Sequence, residues 1–278
     1  MPRSPTPFET LAFMAALEEV APTARTACEG WTAHDIAAHL AAGAKENADL
    51  IENKLAGRPR RATRGFAERE APFVALADDQ LRKALATQGA RKRAAVDALA
   101  DSADPVFEFT GRIFTAAQTV THTRSEAALH RWDLVGDDAI SDRLLAQPEL
   151  TRHAVEVLNT LPMLYEAPGW RGDHAGVTND LRIVLRSPGA DDITYVRTAH
   201  GARFDIKSAP ATGDALVTTD AANRLLTLWG RCSRGRDLSV VTDSIAADTV
   251  KSILWPSAMP WPPSQLAVNC RTTTEVNR

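Results

Sequence analysis

Up to about Tyr165, apolar residues recur at intervals of three and four, over segments far longer than a strand. The spacing predicts Ala-rich helices over Phe8 to Val20, Ala33 to about Leu55, Asp79 to about Ala100, Gly111 to about Leu134, and Ser141 to about Tyr165. Ala56 to Pro72, rich in Arg, Gly and Pro, reads as a surface loop. A helical bundle follows. After Pro168 and Gly169 the period shortens, and Asp180 to Arg186, Ile193 to Thr198, Ala202 to Ile206, Ala215 to Thr219 and Leu238 to Thr242 read as strands. Helical spacing returns at Ala221 to Trp229 and Ser244 to Leu254, so the second part is a small α+β unit. The expected division is a bundle over residues 1–167, an α+β domain over 178–262, and a Pro-containing tail over 263–278 that is extended or disordered.

With 278 residues, 44% hydrophobic and 24% charged, composition is that of an ordinary globular chain and excludes disorder or collagen-like structure. Lys plus Arg number 32 against 35 acidic residues, a net charge of -3, so nucleic acid is not an expected partner. No stretch approaches the ~20 apolar residues that span a bilayer, and the start lacks a leader pattern. The expected location is the cytoplasm, with no membrane partner. Monomer and dimer both stay open. Cys28, Cys232 and Cys270 form no CxxC pairing, and are expected to be reduced thiols rather than a disulfide framework or zinc knuckle.

The chemistry concentrates on a few histidines. Thr32 and Asp35 make a capping box, so a helix begins near Ala33. At 100° per residue His34 and His39 stand about 140° apart and cannot face one ion. His39, beside Ile36, Leu40 and Ala42, is the inward one. Further on, His122, Glu126 and His130 recur every four residues along one helix. About 12 Å of rise separates His122 from His130, too far for two bonds of about 2 Å to one ion. A metal site would take Glu126 and His130 from this helix and His39 from a neighbour. Two nitrogens and one carboxylate leave a position open, the pattern of a catalytic zinc. The plainer alternatives are a surface Glu–His pair and a core histidine with its hydrogen bonds satisfied.

Cys28 through Leu40, read as C-x-G-W-T-x-x-D-hydrophobic-x-x-H-L, resembles a signature of the mycothiol-dependent maleylpyruvate isomerase family of the DinB-like superfamily. Glu126 through Asp133 resembles its E-x-x-x-H-R-W-D signature, and Leu225 through Arg231 is similar to its L-L-x-L-W-G-R helix end. The resemblance implies a DinB-like four-helix bundle followed by a sterol-carrier-like α+β domain. It also implies His39, Glu126 and His130 as ligands of a divalent metal, zinc by preference. Mycothiol, an actinobacterial thiol, is the implied cosubstrate. The metal-bound thiolate would serve as nucleophile near neutral pH, toward a small electrophile, in an S-transferase or isomerase. Arg231, at the family's Gly-Arg end, is the implied cation for the charge that builds on the electrophile.

Around this set, Trp31 and Trp132 are expected to pack the bundle and Cys28 to be a buried small residue before the helix rather than a nucleophile. Asp133 either orients His130 or is a helix-end charge. Arg58, Arg60, Arg61 and Arg64 form a solvated loop or one that receives an anion. Three rival readings stand beside the enzyme. They are a noncatalytic protein that holds a thiol or hydrophobic ligand, a metal-free polar cluster, and metal-independent thiol exchange in secondary metabolism.

Overall fold

In the computed structural model the helical part comprises α1 (Phe8–Glu19), α2 (Ala33–Leu55), α3 (Phe66–Val74), α4 (Asp78–Ala100), the hairpin β1 (Val106–Phe109) and β2 (Arg112–Thr115), and α5 (Ala116–Val135). The structure describes residues 4–160, 180–198, 201–233, 235–242, 245–255 and 273–276. Thr32 opens α2 as the spacing predicts. Its hydroxyl accepts from the Asp35 amide, and the Asp35 carboxylate accepts from the Thr32 amide at 2.8 Å. One face of α2, with Ala33, Ile36, Ala37, Ala38 and Ala41 buried, packs with Phe13 and Leu17 of α1 and Leu81 and Leu85 of α4. Its later turns, with Ala48 and Ile51, share a second cluster with Leu99 and the hairpin residues Phe107, Phe109 and Phe114. The alanines let neighbouring helices approach closely, which sets the distances across the site.

Three local features depart from the expected pattern. First, the helix anticipated from Gly111 begins only at Ala116. Thr110 and Gly111 both take positive φ, 52° and 78°, and build a tight two-residue turn that closes β1 on β2. Thr115 and Gln118 then cap α5 reciprocally. Second, α3 occupies what reads as loop. Third, the helix expected from Ser141 is two, α6 (Ala139–Leu145) and α7 (Pro148–Thr160), because Pro148 has no amide to continue a helix and is suited to starting one.

The chain divides into two compact units, Met1–Val135 and Gly136–Arg278. Gly136, at φ 75°, ends α5 in the left-handed region. The division therefore falls well before the expected 167–178. The reason is α7, whose Asn159 amide group accepts from the Phe204 N–H at 2.8 Å and donates to its carbonyl at 2.7 Å. That bond pair ties α7 to the sheet.

The second unit continues with β3 (Leu181–Arg186), β4 (Asp192–Thr198), β5 (Gly201–Lys207), β6 (Ala215–Thr219), α8 (Ala221–Leu228), β7 (Leu238–Thr242), α9 (Ala247–Leu254) and β8 (Thr273–Val276). Its six-stranded sheet has the order β5-β4-β3-β6-β7-β8, with β3–β6 and β7–β8 parallel and the rest antiparallel. Asp220 caps the buried helix α8. The expectation of a helical part followed by an α+β part holds. Of the expected tail, residues 273–276 pair with β7 instead of standing apart, and 263–272 lie outside the described residues. Cys28 keeps a reduced thiol, whereas Cys232 is disulfide-bonded, contrary to the expectation of reduced thiols. No described helix is long and apolar enough to cross a membrane.

Candidate metal centre

α2 presents His39 and α5 presents Glu126 and His130, and one donor atom from each lies within 4.8 Å of the other two. The Glu126 Oε2 stands 3.6 Å from His39 Nε2 and 3.7 Å from His130 Nε2. Two ligands bound at about 2.1 Å around a tetrahedral ion are roughly 3.4 Å apart, so this spacing fits a shared ion better than direct hydrogen bonds. The donor chemistry, two imidazoles and a carboxylate, suits a zinc-like divalent ion with a position left open.

The outer nitrogens settle which edge of each ring faces inward. His39 Nδ1 lies 2.7 Å from Glu70 Oε1 on α3, and His130 Nδ1 lies 2.9 Å from Asp133 Oδ2. Each imidazole therefore has a carboxylate behind it, which fixes its orientation and leaves Nε2 for the shared point. Of the two roles open to Asp133, orienting His130 is the one the geometry supports. Its Oδ2 also accepts from the Cys28 thiol at 3.2 Å, so Cys28, His130 and Asp133 form a second close group behind the first.

Aromatic rings enclose the set. Trp31 stacks on His130 with 10° between planes, and Phe66 stacks on His39 with 18°. Trp31 therefore covers the candidate ligands as well as packing the bundle, while Trp132 is buried in the core. Burial works to raise the Glu126 pKa, yet the facing imidazoles of His130 and His39 hold it well below the ordinary carboxylate range. Burial lowers His130, and Asp133, Cys28 and Glu126 overcome this to raise it well above the ordinary histidine value. One turn before Glu126, burial against Phe109 and Phe114 pushes His122 down to about 4, so it is neutral near pH 7.

His34 points away, as its angle predicts, toward Asp78 Oδ1 at 3.4 Å and the Val74 carbonyl at 3.2 Å. The arginine loop is neither free nor turned to the site. Arg61 and Arg64 both bind Glu46 on α2, and Arg60 pairs with Glu108. Arg231 follows α8 in the second unit, where its carbonyl accepts from the Trp255 indole at 3.0 Å. Sequence reasoning missed Glu70 and Phe66. Glu70 is separated from His39 by 31 positions, in a segment whose Gly and Pro content hides a short helix.

The class of protein is thus a helical bundle carrying an inward His–Glu–His donor set, joined to an α+β unit. Residues 9–135 match the family model described as the mycothiol maleylpyruvate isomerase N-terminal domain, in line with the motifs in that part of the chain. Two crystal structures share the fold: one of the mycothiol-dependent maleylpyruvate isomerase, with TM-score 0.56, and one of a histidine-to-alanine mutant of it, with TM-score 0.57. Each is 20% identical to this chain and covers 83% of it and 88% of its own length. No curated protein matches the chain.

Proposed function

We propose that this protein is a mycothiol-dependent, metal-assisted enzyme that joins a thiol to a small electrophile, as an S-transferase by preference or as an isomerase. The observation that carries the reading is the convergence of His39, Glu126 and His130, each imidazole turned inward by a carboxylate behind it. A divalent ion, zinc by preference, held by those three residues would favour thiolate over thiol near neutral pH. The chain's own residues supply the rest. Glu70 and Asp133 hold the donor edges inward, and Trp31 and Phe66 shield the rings from water; Arg231, on the resemblance of its Gly-Arg helix end alone, is the cation proposed for charge that builds on the electrophile.

A second reading has one observation behind it. Glu126 Oε2 faces the Nε2 atoms of His39 and His130 at 3.6 and 3.7 Å, a polar cluster able to handle a proton with no ion between its members. Metal analysis of the purified protein separates the two, together with turnover of mycothiol and a generic electrophile with and without chelator. The metal-assisted reading expects about one ion per chain and turnover that stops on chelation. Turnover that survives chelation would favour the polar cluster. An absence of both metal and turnover would favour a noncatalytic binding protein.

A further inference from the structure

α2 passes from one apolar cluster to another. Its buried residues up to Ala42 pack with α1 and with Leu81 and Leu85 of α4, and from Ala48 onward they pack with Leu99 and the hairpin. Gly43 stands in the gap, one turn after His39. At 100° per residue it lies about 40° from His39 around the helix axis, and about 20° from Ile36 and from Leu50. Ile36 is 0% exposed and Leu50 7%, and Ala42 and Ala44, on either side of Gly43 in the chain, are buried too. Gly43 itself is only half-buried, and a Cβ added to it would meet no atom of the described residues within 4 Å. Asn47, one turn further on, folds its amide back to donate to the Gly43 carbonyl at 2.7 Å and leaves the space unfilled. The stripe of α2 that carries His39 therefore contains a hollow open to water beside the donor set.

Packing does not ask for glycine at this position. No described neighbour comes close enough to exclude a methyl group, and α2 runs unbroken from Ala33 to Leu55, so no unusual backbone angle is served. Inside a helix glycine is less favourable than any residue but proline. Its cost to α2 is matched by the room it leaves next to His39. On the enzyme reading a thiol brings its sulfur to His39, Glu126 and His130, and the body behind that sulfur needs space alongside them. The hollow at Gly43 is such a space.

We propose that Gly43 is a specificity-determining residue: its missing side chain admits the body of a bulky thiol beside His39, and so sets the size of thiol the protein accepts. The proposal rests on the enzyme reading above and deepens it at one residue.

Gly43→Ala and Gly43→Leu test this, with denaturant unfolding, metal content and calorimetric titration of mycothiol on the same samples. Gly43→Ala should raise the unfolding midpoint, because the helix gains a better former and nothing is displaced. Both variants should keep the metal content of the wild type. Gly43→Leu should weaken mycothiol binding about tenfold or more, and Gly43→Ala less. In turnover the loss should fall on KM for mycothiol rather than on kcat, and 2-mercaptoethanol, with two carbons behind its sulfur, should lose several-fold less. A lowered midpoint in Gly43→Ala would show that packing requires the glycine and would overturn the proposal. Unchanged mycothiol affinity in Gly43→Leu, equal losses for the two thiols, or no mycothiol binding to the wild type would each overturn it as well. Should Gly43→Leu fail to fold or lose its metal, Gly43→Ala carries the same comparison. Mycothiol binding that weakens with size at position 43, in a protein that turns nothing over, would support the hollow and sink the enzyme reading. Normal turnover with mycothiol binding indifferent to position 43 would overturn the hollow and leave the enzyme reading intact.

Discussion

Glu46 and Glu126 are both carboxylates of the helical unit, both are surrounded by cationic or basic side chains, and both are held below the ordinary carboxylate pKa. Their surroundings differ in one respect. Glu46 is fully buried and closed: it accepts from the Arg61 guanidinium at 2.6 Å, the Arg64 amide at 3.0 Å and Arg64 Nε at 2.8 Å. Burial opposes ionisation there, and the Arg61 and Arg64 bonds win, bringing Glu46 to about 2. Glu126 keeps its imidazoles at 3.6 and 3.7 Å, beyond bonding distance, while each ring's far nitrogen is occupied. A closed cluster fastens a loop to α2. An open one, its members held by other residues, has room for a bound group.

That contrast can be broken by experiment. The largest effect is expected from His130→Ala, which should reduce metal in the dialysed protein to background and abolish turnover while the circular dichroism spectrum stays native. Metal retained in this variant would end the distinction between the two clusters. Next, Glu46→Gln should cost about 3 kcal/mol in denaturant unfolding, since it leaves two arginines without their buried anion, and should not change metal content. Its pH dependence has a definite sign. Folding lowers the Glu46 pKa from 4.5 to about 2, so its stabilisation is complete above pH 4.5 and is lost as pH falls toward 2. The variant should lack that component of acid unfolding. Smallest, Asp133→Asn and Glu70→Gln should each weaken metal binding about 10- to 100-fold in competition titrations with a chromophoric chelator. Unchanged affinity in both would show that the imidazoles orient themselves.

Much of the centre was legible beforehand, and the residues show why. His39 facing inward and Glu126 sharing a face with His130 both follow from the repeat of a single helix, which a few positions reveal. Asp133 was visible for the same reason, three residues past His130. Glu70 and Phe66 were not, because α3 has nine residues, a Gly before it and Pro72 inside it, too little for a period to register. The hairpin escaped because Thr110-Gly111 is a weaker turn signal than the helical spacing that follows it.

The amino-acid order alone settles which side chains share a face, where capping begins a helix at Thr32, and that the period changes after Pro168, since these depend on neighbours along the chain. Packing decides the rest. The approach of α2 to α5 through small residues sets the gap in the donor set, α3 delivers Glu70 behind His39, and Arg61 and Arg64 turn to Glu46 rather than to solvent. These depend on distances between segments far apart in sequence, which no local period encodes. The same holds for the unit boundary, since α7 belongs with the sheet through Asn159 and the Phe204 backbone, a bond pair no local pattern announces.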